Sequence, residues 1–111
     1  MCGIFGLLLN RSLTEADIAL GRSGVAALSH RGPDGSGEFI DRAGGVYLGH
    51  RRLKIVDLSE ASAQPMRSGA HVLTYNGEIY NFRAVRQTLE QAGVQFRSTG
   101  DTEVLLAAWQ R

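Results

Sequence analysis

The sequence predicts an α+β fold, in one domain or part of one, and three observations lead to that prediction. Stretches with strand character and stretches with helical spacing both occur, but they do not alternate strictly as they do in βαβ proteins. Hydrophobic residues make up 43% of the chain, which is typical of a globular protein with a core. A length of 111 residues corresponds to one domain at most.

The first predicted element is a strand over residues 3–9. Every residue in this range is apolar or glycine, and continuous apolar runs of this length are typical of strands that are covered on both faces. We therefore expect a fully buried strand at the start of the chain. A polar turn at residues 10–12 ends it.

A helix is predicted over residues 15–29. Thr14 precedes it and Asp17 lies three residues later, which resembles a capping box with Asp in the place of the usual Glu or Gln. Gly21 and Gly24 lie inside the helix, and each costs about 1 kcal/mol relative to Ala. Two such glycines favour close packing of this helix against a sheet.

The next part of the chain is predicted to form a loop and two strands. Residues 30–37 form a loop by composition, since they combine Gly, Pro, Asp and Ser. Residues 38–40 and 45–51 are predicted strands, and the turn between them lies at residues 41–44.

Extended segments and loops continue as far as a predicted tight turn. Residues 53–58 are predicted to be a short strand or an extended segment. Polar residues and Pro65 predict a loop over residues 59–69. A strand over residues 71–75 ends at Asn76-Gly77, a strong signal for a tight turn because both residues tolerate positive φ.

The last third of the chain is predicted to be mainly helical. Asn81 is the predicted cap of a helix over residues 82–92, which Gly93 ends. Residues 94–97 are predicted to be a strand, and Asp101 is the predicted cap of a final helix. No Gly or Pro closes that helix, so we expect the chain to be a fragment of a longer protein.

The composition argues against several classes of function. The formal net charge of +1 does not favour nucleic acid or an anionic membrane as a partner. One cysteine cannot form an internal disulfide, and no run approaches the roughly 20 apolar residues of a membrane span. The sequence has no metal-ligand spacing among its histidines and no Gly-Lys-Ser or Gly-Lys-Thr phosphate loop. We expect a cytoplasmic protein with no metal or cofactor in this chain.

Cys2 is the candidate nucleophile. It becomes the N-terminal residue if Met1 is removed, and it then carries both a thiol and a free α-amine. The pKa of a free α-amine is about 8, so this amine can accept the proton of the thiol near neutral pH. The alternative is that Cys2 is a small buried hydrophobic residue at a frayed chain end.

Asn76 and Gly77 are candidates for an oxyanion hole. Attack of a thiolate on an amide develops negative charge on oxygen, which N–H donors must stabilise. Asn supplies a side-chain NH₂, and Gly lets a backbone N–H approach without a Cβ in the way. The alternative is that Asn76-Gly77 is only a hairpin turn.

Six blocks of the sequence, taken in order, resemble one known family. The blocks are residues 1–6, 31–37, 49–57, 64–66, 75–81 and 100–103. Together they resemble the N-terminal glutaminase domain of glutamine-dependent asparagine synthetases, which are class II glutamine amidotransferases. The blocks Arg31-Gly32-Pro33-Asp34-Gly35 and Arg52-Leu53-x-Ile55-Val56-Asp57 are similar to the asparagine synthetase branch. The resemblance covers essentially the whole chain.

The resemblance implies a fold and a set of catalytic residues. The fold is that of N-terminal nucleophile hydrolases, a four-layer αββα sandwich with largely antiparallel sheets. Residues 1–111 would form the N-terminal part of this domain. Cys2 would be the nucleophile and, through its α-amine, the general base. Asn76 and Gly77 would form the oxyanion hole.

The resemblance also implies residues that bind glutamine. Arg52 would bind the α-carboxylate, Asp101 the α-ammonium group, and Glu78 would line the pocket. Backbone contacts to glutamine would come from residues 52–56, that is, from Arg52 together with Leu53, Lys54, Ile55 and Val56. The alternatives are that Asp101 only caps its own helix and that Arg52 is a solvated strand residue.

In the complete family enzyme, ammonia from L-glutamine passes to a C-terminal synthetase domain that uses ATP and Mg²⁺. That domain converts aspartate to asparagine, and the resemblance allows a homodimer of the full-length enzyme. This chain contains no Ser-Gly-Gly-x-Asp pyrophosphate loop, so the synthetase domain is absent from it. Two alternatives remain: the same glutaminase could serve another acceptor, such as a sugar or peptide carboxylate, or the chain could be a non-catalytic interaction domain.

Overall fold

The computed structural model describes residues 2–53 and 60–111. The elements in these ranges follow in chain order. They are β1 (Gly3–Leu8), α1 (Glu15–Ala27), β2 (Gly35–Asp41), β3 (Val46–Arg52), a short 3₁₀ turn (Glu60–Ser62), β4 (Met66–Ser68), β5 (His71–Leu73), α2 (Phe82–Gln91) and α3 (Asp101–Trp109). Helices and antiparallel strands mix without βαβ alternation, which confirms the predicted α+β class.

Two antiparallel sheets organise the described residues. Strands β1, β3 and β2 form one sheet with β3 in the centre, and β4 pairs with β5 in a second sheet. In the first sheet Ile4 and Gly37 both lie opposite His50. The predicted turn between β2 and β3 is also present, so this hairpin is confirmed. Because β3 is central, both β1 and β2 form their ladder hydrogen bonds with it.

Helix α1 packs on one face of the three-stranded sheet. The predicted capping box is confirmed, since Thr14 and Asp17 each accept a hydrogen bond from the backbone N–H of the other. The predicted close approach is confirmed too, because a Cβ on Gly21 would lie 2.6 Å from the Tyr47 ring and one on Gly24 would overlap the Phe5 ring. The core under α1 consists of Leu13, Ile18, Val25 and Tyr47.

We expect Gly21→Ala to destabilise the protein, although Ala is the better helix former. Tyr47 is 1% exposed and its hydroxyl donates to Glu38 at 2.8 Å, so the ring cannot move aside freely. Overpacking of this kind costs about 1–3 kcal/mol, against about 1 kcal/mol gained in helix propensity. Thermal unfolding of the intact protein checks this.

The matched control for Gly21→Ala is Ser23→Ala, at an exposed position of the same helix. This control should keep or slightly raise the melting temperature, because it adds propensity without a steric clash. A melting temperature of Gly21→Ala equal to or above that of Ser23→Ala would show that α1 has room for a methyl group.

A second core lies between α2 and α3. Phe82, Leu89 and Val104 are buried there, and Phe96 from the connecting segment packs against them. This segment was predicted to be a strand over residues 94–97, and that prediction is wrong. The backbone N–H groups of Arg97 and Ser98 donate to the Glu103 carboxylate instead of to a neighbouring strand. A side chain of α3 therefore replaces the ladder that a strand needs.

Two further predictions on strands need correction. The range 59–69 was predicted to be a loop, but it contains the Glu60–Ser62 turn and strand β4, which is too short to show an alternating pattern. Strand β1 was predicted to be covered on both faces, but Ile4 is 48% exposed and Leu8 is 77% exposed. Only the opposite face of β1 packs on α1 within residues 2–53 and 60–111.

The predicted extended segment at residues 53–58 lies outside the described residues, except for Leu53, which follows β3 without regular structure. In the described parts of the chain, no helix combines the length and apolar character that crossing a bilayer requires.

Candidate functional site

A cavity of about 480 Å³ lies where β3, the loop before β4, the loop after β5 and the start of α3 meet. Seven residues singled out from the sequence line it. They are Cys2, Arg52, Leu53, Asn76, Gly77, Glu78 and Asp101. These residues are far apart in the sequence, so the fold brings together one group of predicted residues in a single concave site.

Cys2 is half-buried at the start of β1, and its thiol faces the chain just after β3. The backbone N–H of Leu53 points at Cys2 Sγ across 3.3 Å, and the carbonyl oxygen of Leu53 lies 3.7 Å from the same sulfur. Arg31 Nε donates to the Cys2 carbonyl oxygen at 3.1 Å. Cys2 is therefore held from two sides and is not a frayed terminal residue.

Arg52 is the last residue of β3 and is 7% exposed, so the alternative of a solvated strand residue is wrong. The loop before β2 covers this end of the strand, since Asp34 N–H donates to the Arg52 carbonyl at 2.9 Å. A Cβ on Gly32 would overlap the backbone of Arg51, which explains the glycine in this loop. Close packing of the loop thus fixes where Arg52 enters the cavity.

Asn76 and Gly77 lie in the loop from β5 to α2, so the alternative of a hairpin turn is wrong. The reason given for the turn is wrong as well, because neither residue has positive φ. Gly77 lies close to the Tyr75 ring instead: a Cβ there would lie 2.6 Å from the Tyr75 hydroxyl oxygen, so an added side chain would displace that ring. The absence of a side chain leaves the backbone of Gly77 accessible at the cavity wall.

Asp101 was predicted to cap α3, and that prediction is wrong. Helix α3 begins at Asp101 itself with Gly100 as N-cap, and no side chain among the described residues caps it. Asp101 is 8% exposed, and its Oδ2 accepts a hydrogen bond from Ile79 N–H at 2.9 Å. Because Asp101 is the first residue of the helix and not its N-cap, its carboxylate binds the loop after β5 instead of the backbone of α3.

Charged groups of both signs line the cavity. Burial raises the pKa of Tyr75, and the carboxylates of Asp101 and Glu78 raise it further. Burial lowers the pKa of His50, and the Arg52 guanidinium contributes to that lowering. Two carboxylates and one guanidinium are therefore among the lining groups, and such a cavity suits a zwitterion such as an amino acid.

Several lining residues were not given a role from the sequence. They are His50, Ser62, Gln64, Tyr75, Tyr80, Gly100 and Thr102. His50 and Gln64 lie inside two of the six sequence blocks, so the blocks pointed to them without indicating what they do. Buried Ser62 Oγ and His50 Nδ1 have no hydrogen-bond partner within the described ranges. The fold thus brings both residues to the cavity wall.

Three of the predicted glutamine contacts, Lys54, Ile55 and Val56, lie outside the described residues, as does Met1. Among the residues that the structure does describe, no group of His, Cys, Asp and Glu side chains could hold a metal ion.

Comparisons with known proteins found a family and several relatives that match this chain. A family model described as a glutamine amidotransferase domain matches residues 1–111. The chain is 38% identical over 114 residues to asparagine synthetase [glutamine-hydrolyzing] 3 of Bacillus subtilis, covering 98% of this chain and 18% of the relative. It is 40% identical over 116 residues to asparagine synthetase B [glutamine-hydrolyzing] of Escherichia coli, covering 99% of this chain and 20% of the relative. The chain thus spans about a fifth of the length of these curated relatives.

Proposed function

Because the chain belongs to the glutamine amidotransferase domain family, we propose that it hydrolyses L-glutamine to glutamate and ammonia for the synthesis of asparagine. The observation that carries the proposal is the cavity in which a thiol, an Asn-Gly pair, a guanidinium and two carboxylates meet. The relatives with which the chain aligns along almost its whole length are named glutamine-hydrolyzing asparagine synthetases. Chemistry and similarity therefore point to the same reaction.

The ends of glutamine are assigned by charge. The Arg52 guanidinium binds the α-carboxylate, because its planar fork matches a carboxylate with two parallel hydrogen bonds. Asp101 binds the α-ammonium group and Glu78 lines the pocket beside it. Asp101 and Glu78 both line the cavity, which supports this assignment. The backbone of Leu53, Lys54, Ile55 and Val56 contacts the substrate between these ends.

Removal of Met1 precedes the reaction and frees the α-amine of Cys2. That amine takes the thiol proton, and the thiolate attacks the side-chain carboxamide carbon of glutamine. Asn76 and Gly77 donate hydrogen bonds to the oxyanion that forms. The ammonium group of Cys2 then gives its proton to the leaving nitrogen, ammonia departs, and water hydrolyses the γ-glutamyl thioester. The Leu53 N–H, 3.3 Å from Sγ, fixes the position of the sulfur before the attack.

In this proposal, a part of the enzyme outside this chain uses the ammonia. We propose a C-terminal synthetase domain that binds ATP and Mg²⁺ and amidates aspartate. The basis is that the chain spans only 18 to 20% of relatives named as synthetases. A cytoplasmic location and a homodimer of the intact enzyme remain predictions.

An isotope-transfer experiment on the intact enzyme tests the proposal. Glutamine labelled with ¹⁵N in the side-chain amide is supplied with aspartate, ATP and Mg²⁺, and products are identified by mass spectrometry. We expect ¹⁵N in the side-chain amide of asparagine. Labelled ammonia without labelled asparagine under these conditions would support glutamine hydrolysis but would contradict aspartate as the acceptor. Release of no ammonia from glutamine would overturn the proposed function.

A further inference from the structure

Tyr75 directly precedes Asn76, and side chains rather than a strand hold both of its backbone groups. Its N–H donates to Gln64 Oε1 at 2.6 Å, and its carbonyl oxygen lies 3.2 Å from His50 Nε2. Strand β5 ends at Leu73, so the β4–β5 ladder does not reach this residue. Backbone polar groups away from water need partners. The position of Tyr75 therefore depends on two side chains.

His50 connects Tyr75 to the strand that also positions the thiol. A carbonyl oxygen can only accept a hydrogen bond, so His50 Nε2 is a protonated ring nitrogen and donates the hydrogen bond to Tyr75. His50 is 1% exposed in the centre of the sheet, opposite Ile4 of β1. Leu53, just after the same strand, contacts Cys2 Sγ through its N–H. Strand β3 and the residue that follows it thus position both the thiol and the residue before Asn76.

Gln64 connects Tyr75 to the start of α3. Its Nε2 donates to Thr102 Oγ1 at 3.2 Å while its Oε1 accepts from Tyr75. Thr102 is 8% exposed and follows Asp101, which accepts a hydrogen bond from Ile79 N–H at 2.9 Å. The first turn of α3 therefore anchors the loop after β5 at two points.

Residues 76–78 lie between these anchors. We propose that His50 and Gln64 are positioning residues that hold the side-chain donor of Asn76 in place for the oxyanion, an inference that rests on the proposed glutaminase function. Neither side chain needs to touch the reacting atoms for this role. An oxyanion donor must lie within hydrogen-bond distance of a position that is occupied only in the transition state. Loss of either anchor therefore lowers kcat more than it raises KM.

A matched pair of variants tests His50. In His50→Gln the side-chain amide nitrogen can occupy the place of Nε2, whereas in His50→Asn it can occupy only the place of Nδ1. We expect His50→Gln to keep most of the glutaminase kcat and His50→Asn to lose about 10- to 100-fold, the size of effect that a small misplacement of catalytic groups causes. The control is His71→Asn, at an exposed histidine of β5, which should match the parent enzyme.

A double-mutant cycle separates positioning from a general structural role. In an Asn76→Ala background, His50→Asn should lower kcat less than threefold further, because the donor it positions is already gone. The glutamine KM should change less than threefold in the single variant. Equal activities of His50→Gln and His50→Asn, or a full further loss of 10-fold or more in the Asn76→Ala background, would overturn the proposal.

Gln64→Met carries the same test if His50→Asn does not accumulate as folded protein. Met is similar in length to Gln but cannot accept the Tyr75 N–H. It should lower kcat at nearly constant KM, and this loss should disappear in the Asn76→Ala background. An unchanged kcat would overturn the proposal. The proposed function is judged separately, since it requires that the parent enzyme releases ammonia from glutamine and that Asn76→Ala slows the release.

Discussion

Cys2→Ala in the intact enzyme is expected to abolish ammonia release from glutamine, with a fall in kcat of about four orders of magnitude or more. The reason is that the proposed reaction passes through a γ-glutamyl thioester, and no other thiol exists in this chain. The residual groups of the cavity can still bind glutamine but cannot form the covalent bond. The measurement is ammonia release at saturating glutamine.

Supplying ammonia directly provides the control for Cys2→Ala. If the proposed synthetase domain is intact, ammonium salts with aspartate and ATP should yield asparagine at the parent rate. Loss of both activities together would indicate misfolding of the variant, which the melting temperature reports. Glutaminase activity within tenfold of the parent in a folded variant would exclude Cys2 as the nucleophile.

Asn76→Ala is expected to lower the glutaminase kcat by about 10²–10³-fold, the usual consequence of losing one oxyanion donor. The oxyanion exists only in the transition state and the intermediate, so the KM for glutamine should change much less. Asn76 lies in the cavity wall together with Cys2 and Gly77, which supports a role at the reacting carbonyl. Steady-state kinetics over a range of glutamine concentrations separates the two parameters.

The matched control is Asn81→Ala, at the other end of the same loop. Asn81 is exposed and makes no capping hydrogen bond through its side chain, so its replacement should leave kcat and KM near the parent values. An Asn76→Ala enzyme with normal kcat and a raised KM would mean that Asn76 contacts the bound substrate rather than the oxyanion.

Local signals in the sequence predicted the parts of the fold that depend on neighbouring residues. Thr14 and Asp17 form a capping box within four residues, and such a motif can be recognised without tertiary information. Gly21 and Gly24 indicated close packing because a helix rarely tolerates two glycines without a contact that requires them.

Two of the errors arose where a side chain of α3 takes up backbone N–H groups outside that helix. Glu103 takes the backbone N–H groups of Arg97 and Ser98 that a strand would have used. Asp101 binds Ile79 N–H instead of capping its own helix. Neither contact can be inferred from the residues next to it. Propensity therefore predicted a strand that is absent, and the capping rules assigned the cap of a correctly predicted helix to the wrong residue.

The candidate site was predictable to a different degree for each residue type. The chemistry of Cys2 suggested its role, the family resemblance assigned roles to Arg52 and Asp101, and all three residues line the cavity. His50 and Gln64 act through the backbone of Tyr75, a contact that only the three-dimensional structure shows. From the sequence we weighed the role of His50 only as a metal ligand, so its contact with Tyr75 was not predicted.

The central claim is that removal of Met1 gives Cys2 the α-amine that activates its own thiol. The most direct measurement is mass mapping of active, intact enzyme after reaction with an electrophilic glutamine analogue. The account predicts one adduct per chain, on the sulfur of a peptide that begins with Cys2. An adduct on a peptide that still carries Met1, or on any other residue, would contradict it.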